Sequence, residues 1–169
     1  TSVLDWAYGD LSHQHQIVMK RIKLSGLSPR IFLWHQGETD SKRNVSLDQI
    51  TKAPYFQSYL SQTGNKKGLI PLAEEVYYNA LKKIVESTFN SFPQSSFGIA
   101  LATRCRNKPY SPVRNAQKRI SQDLPNSFIS ADSDKITGLD KRPDNCHFSA
   151  KGAAELGNLY YESIIREIK

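Results

Sequence analysis

Apolar and polar residues alternate along the chain in blocks whose period changes. Leu11, Ile17, Val18 and Ile22 recur at helical spacing, and Gly26 and Pro29 end that helix. Ile31 to Trp34 is a short unbroken apolar run, the mark of a strand buried in a parallel sheet. Residues 41–70 are polar, contain TGNKKG at 63–68, and read as a long loop with room for a short helix. Pro71 then marks a helix start. Leu72, Val76, Ala80, Ile84 and Thr88 share one face of that helix, with Ala73, Tyr77, Leu81 and Val85 beside them. FGIALA, residues 97–102, predicts a second buried strand. Ser111-Pro112 predicts a helix to about Gln122 with Ser111 as its N-cap. Residues 128–131 predict a third strand, and Ser149 caps a last helix carrying Ala153, Leu156, Tyr160 and Ile164.

Strands alternating with helices predict parallel strands covered on both faces, an α/β fold of three layers, α/β/α. Ligands in such folds bind outside the carboxyl ends of the strands. The length of 169 residues suits one domain, 1–169, with a sizeable core. With 38% hydrophobic and 23% charged residues, the chain is expected to fold. No apolar run approaches the ~20 residues of a membrane span, so no membrane partner is expected. The net charge of +7 would suit an anionic polymer, but Lys and Arg are dispersed and no run of them exceeds two. No nucleic-acid partner is expected either.

The chemistry concentrates in two places. The first strand runs straight into HQGETD. There the Gln36 amide and the Gly37 backbone offer N–H donors suited to an oxyanion, with the carboxylates of Glu38 and Asp40 close behind. The second is DNCHFSAKG, residues 144–152. A carboxylate three residues before His147 can hold one ring nitrogen and leave the other free to take a proton from a hydroxyl. Asp144-x-x-His147 reads equally well as an ordinary surface pair. Cys105 and Cys146 are too few for a disulfide scaffold or a cysteine zinc site. No metal and no cofactor is expected, and Asp10, His13 and His15 read as surface polar residues. One bridge stays open, because Cys105 follows FGIALA and Cys146 lies in the His147 loop, so both belong to the same rim.

WHQGETD followed by DNCHFSAKG resembles the SGNH (GDSL-like) hydrolases, and more closely their sialate O-acetylesterase and acetylxylan-esterase branch, carbohydrate esterase family 6. PVRNAQ, residues 112–117, extends the likeness, which covers nearly the whole chain except 41–70 and marks that stretch as an insertion. The resemblance implies a flavodoxin-like SGNH fold and serine-type hydrolysis of acetyl esters on an acetylated carbohydrate substrate. It implies His147 as general base, Asp144 or Glu38 as the carboxylate that orients it, Gln36 as oxyanion donor, Gly37 shaping that turn, and Asp40 supporting it from behind. It slightly favours a secreted or periplasmic location. A non-catalytic, carbohydrate-binding relative is the alternative.

The family's nucleophilic serine lies after a first strand, well upstream of the Gln-Gly-Glu block. Here only 33 residues precede Trp34. GDLS, residues 9–12, carries similar letters, but no strand comparable to IFLW precedes it, and Ser12 is not expected to be the nucleophile. Cys146 adjoins His147 and should point away from it. The expectation is therefore a C-terminal portion of an esterase, begun after processing or trimming. It would lack two β–α units of about 60 residues and be inactive alone. The IFLW strand would otherwise keep an unpaired edge, so either an N-terminal segment of the same protein completes the sheet as its partner or the chain self-associates through that edge.

Overall fold

The computed structural model describes residues 1–41, 44–46, 69–71, 74–105 and 108–169. The chain opens on a pair of helices. Ser2 caps α1 (Val3–Tyr8): its hydroxyl accepts from the Leu4 N–H at 3.2 Å, and the Asp5 carboxylate accepts from the Ser2 N–H at 2.8 Å. α2 (Asp10–Leu24) follows directly and stops at Ser25, after which Gly26 turns left-handed at φ +73°. The periodicity beginning at Leu11 thus belongs to the second helix of two. The first inserts Val3, Leu4 and Ala7 into the core, where they are no more than 3% exposed.

β1 (Ile31–Trp34) comes next, then β2 (Asn44–Ser46) and β3 (Leu69–Pro71), which pair antiparallel with Asn44 opposite Pro71. The stretch read as a loop therefore contains a small ribbon. Pro71 ends a strand rather than opening a helix. α3 (Glu74–Ser91) starts three residues later and buries Val76, Ala80, Ile84 and Thr88 together with Tyr77, Leu81 and Val85. The expectations for Leu72, Ala73 and residues 63–68 lie outside the described residues.

β4 (Ser96–Leu101), α4 (Ser111–Asp123), β5 (Ser127–Asp132), a 3₁₀ turn (Ser133–Lys135) and α5 (Ala150–Glu167) complete the order. Ser111 is the first helical residue of α4 and not its cap; Tyr110 precedes it without a side-chain cap. Pro112 removes one of the N–H groups that a cap would have to satisfy. Ser149 does cap α5, accepting from the Gly152 N–H at 3.2 Å.

The sheet is parallel throughout, in the order β1–β4–β5. Central β4 is buried on both sides, which is why it reads as an unbroken apolar run. Phe97 and Ile99 pack with Leu81, Ile84, Val113, Ala116 and Ile120 of α3 and α4. Ala100, Ala102 and Ala131 meet Leu156, Leu159 and Tyr160 of α5 on the opposite face. This is the three-layer α/β/α arrangement. Each fully buried Leu or Ile in it contributes about 1.5–3 kcal/mol of burial.

β1 lies at the edge and pairs only with β4 among the described residues. Leu33 is 45% exposed there. Between this edge and α2 runs a groove of about 400 Å³ whose lining includes Val18, Met19, Phe32 and Leu33.

Candidate functional site

The turn after β1 is held by a buried polar network. The Gln36 carbonyl accepts from the Tyr77 hydroxyl at 2.6 Å and the Gln117 amide at 2.9 Å. The Gln117 side-chain oxygen accepts from the Ala102 N–H at 3.1 Å, and the Trp34 indole donates to the Tyr77 hydroxyl at 3.2 Å. Burial pushes the Tyr77 hydroxyl well above its ordinary pKa, with the Asp40 charge adding to it, so it remains a donor. Gln117 closes the PVRNAQ segment, which gives that stretch a physical role. Gly37 passes so close to the end of β4 that a Cβ would lie 2.2 Å from the Ala102 carbonyl oxygen and 2.7 Å from the Gln117 amide nitrogen.

The Gln36 side chain is fully engaged. Its amide donates to Asp40 Oδ2 at 2.7 Å and the Thr1 carbonyl at 3.0 Å, and its oxygen receives the Tyr77 hydroxyl at 3.1 Å. Asp40, 1% exposed, also accepts the Val3 N–H at 2.9 Å and so ties α1 to this turn. Burial raises the Asp40 pKa in spite of those bonds.

Glu38 points elsewhere. Its Oε1 lies 3.1 Å from Nε2 of His35, whose Nδ1 lies 2.7 Å from the Tyr160 hydroxyl. Burial pushes the Glu38 carboxyl up, but the His35 bond and charge and the Arg142 charge outweigh it and hold it below the ordinary value. A depressed carboxyl contributes stability above its unfolded pKa, 4.5, that is lost as pH falls through the folded value. Wild type should therefore exceed Glu38→Gln in stability above about pH 4.5. The gap should close as the pH is lowered further. Denaturant unfolding of both proteins across that range checks this, and a gap independent of pH would sink it.

The His147 loop is built on Asp144. Its Oδ1 accepts the N–H groups of Cys146 at 2.9 Å and His147 at 2.7 Å, a local Asx turn, while Oδ2 meets His147 Nδ1 at 2.5 Å. The His147 bond and the two backbone bonds hold the Asp144 carboxyl far below the usual carboxylate range. An ionised Asp144 fixes the ring with Nδ1–H as donor and Nε2 open. Both side chains are exposed, His147 at 82% and Asp144 at 55%. A disulfide between Cys105 and Cys146, with Cα atoms 4.3 Å apart, fastens this loop to the segment after β4. Gly152 presses the start of α5 onto the loop: a Cβ there would meet the Lys141 carbonyl oxygen at 2.3 Å.

A cavity of about 270 Å³ opens between the two motif loops, lined by His35, Glu38, Thr39, Cys146, His147 and Phe148. It brings Glu38 and His147 together, with Asp144 behind the imidazole. It does not include Gln36, whose side chain lines the groove beside β1 instead. Gly37 and Asp40 support that side. Ser12 sits in the first turn of α2, donates to the Gly9 carbonyl at 2.7 Å, and lines a separate small pocket with His15. The Cys146 sulfur is committed to the disulfide. Among the described residues no group of three or more His, Cys, Asp or Glu side chains is placed to hold a metal, and no helix is long and apolar enough to cross a membrane.

Four contributors lie outside the motif positions chosen from sequence: His35, Tyr77, Gln117 and Arg142. His35 stood inside the first motif. Tyr77 and Gln117 carried an apolar-face and a resemblance signal but no sign of a polar role. Arg142 gave no signal. No protein-family model matches this chain, and no curated protein matches it.

Proposed function

We propose that this chain carries the base-bearing half of a serine-type carbohydrate O-acetylesterase of the SGNH kind. The observation that carries the reading is the Asp144–His147 pair, 2.5 Å apart at Nδ1, on the rim of a cavity beyond the carboxyl ends of parallel strands. In this reading His147 Nε2 takes the proton of a serine hydroxyl as it attacks the acetyl carbonyl, then returns it to the departing sugar oxygen. Asp144 holds the ring and offsets the imidazolium charge. The serine comes from an N-terminal segment of the same protein, which would seat on the side of β1 that has no strand partner among the described residues and on its apolar groove. Gln36 serves as oxyanion donor once its amide turns from Asp40 and Thr1 toward the cavity. Glu38, with His35 beside it, faces the sugar. A disulfide at the rim suits an oxidising compartment.

A second reading, a carbohydrate-binding relative without catalysis, is favoured by one observation: both amide hydrogens of Gln36 already have acceptors. The two readings part in a single assay. Residues 1–169 alone should show no p-nitrophenyl acetate turnover beyond a His147→Ala control, and the protein with its upstream segment should turn it over. Sugar binding without turnover in the complete protein would favour the second reading.

A further inference from the structure

Arg142 heads the large side chains that are fully buried, at 1% exposure. A guanidinium removed from water usually faces a carboxylate. Among the described residues this one makes no ion pair within 4 Å; its donors run to backbone carbonyls. Nε reaches Ile136 at 3.0 Å and one terminal nitrogen reaches Ser133 at 2.9 Å. The other bonds to Cys146 and, at 3.5 Å, to Arg104. The guanidinium plane also lies over the Phe148 ring, 3.8 Å from its centroid. Arg142 therefore holds the residue before His147 by its carbonyl and the residue after it by its ring.

The same contact extends across the cavity. Phe148 meets His35 edge-on, with centroids 6.1 Å apart and planes at 83°. His35 in turn holds Glu38 and reaches Tyr160 of α5. The carboxylates whose charges act on Arg142 are Glu38, Asp134 and Asp144. His147, itself exposed, thus has Asp144 on its own loop, Glu38 and His35 lining the same cavity, and Arg142 holding the residues on either side of it.

We propose that Arg142 is a positioning residue for this cavity: it fixes where His147 stands by gripping both of its chain neighbours. Five donors in a rigid plane suit this task, because several carbonyls and one ring must be met at once. A lysine brings the charge without the fork. Only the kinetic part of the proposal rests on the esterase reading.

The test uses Arg142→Lys and Arg142→Met in the chain of 169 residues. Amide NMR shifts of Cys146, His147 and Phe148 should move in both variants, while those of Leu81 and Ile120 in the core stay. In the complete enzyme, turnover per folded molecule should fall about tenfold or more in both variants at little-changed KM. Unmoved amides at 146–148 would overturn the proposal. Should neither variant fold, Phe148→Leu removes the ring and leaves the arginine. It should shift the Cys146 and His147 amides, and their constancy would equally overturn it. A complete enzyme without esterase activity would remove the esterase reading and leave the amide results to decide this one.

Discussion

On the proposed esterase reading, His147→Ala in the protein with its upstream segment should lower turnover of an acetyl ester on the order of 10⁴-fold or more. Without the imidazole no base remains at the hydroxyl, and the developing positive charge that Asp144 offsets never forms. The loss should appear in kcat rather than KM, because in that reading His147 acts on the proton in flight and not on the bound sugar. Stability should barely change. The ring is 82% exposed, and two backbone N–H groups still hold Asp144 and the turn when the ring is gone. A stopped assay on acetylated xylan, beside a thermal melt of the same sample, separates the two effects. A variant that keeps more than about a tenth of wild-type turnover would end the assignment of His147 as base.

Replacing both cysteines, Cys105→Ser with Cys146→Ser, should cost roughly 4 kcal/mol of unfolding free energy on the chain-entropy account of a bridge whose ends are 41 residues apart in sequence. The bridge encloses α4, β5 and the 3₁₀ turn. Its loss lets the unfolded chain explore many more arrangements while the folded core keeps its contacts. Urea unfolding of the oxidised protein and the double variant reads the difference directly. A difference under about 1 kcal/mol would mean that the unfolded chain is already compact between those residues. Catalysis should respond too, since Cys146 immediately precedes His147.

Much of the architecture could be read from the chain because its central parts obey one period each. β4 is apolar at nearly every position, and α3 repeats Val76, Ala80, Ile84 and Thr88 along one face, so burial and pattern agree. α1 escaped because six residues carry too little period to stand out; its capping box and its contacts with α3 make it a helix. The β2–β3 ribbon escaped because its strands are three residues each and pair across more than twenty intervening positions. At the site, the two motifs read from the sequence supply Glu38 and His147 to one cavity, with Asp144 bonded to His147. The direction of Gln36 depended on Asp40, Tyr77 and Thr1, none of which a motif specifies. Arg142 ran against hydropathy altogether: a charged residue between Lys141 and Pro143 reads as surface, and only the carbonyls converging on it explain its burial.

Gly37 and Gly152 bear on how this sequence can drift over time. Each sits where one added methyl would strike a backbone oxygen, of Ala102 in one case and Lys141 in the other. Backbone cannot yield by choosing another rotamer, so these two positions are closed to every other amino acid while the surrounding loops stay as they are. Other residues nearby, such as Thr39 in the cavity wall, face no such prohibition and can diverge with the ligand. Lineages that share this scaffold should therefore lose overall similarity long before they lose a glycine three residues after the β1 tryptophan and another five residues after the loop histidine. The pair is a geometric fingerprint by which remote kin of this chain can be found when alignment scores have faded.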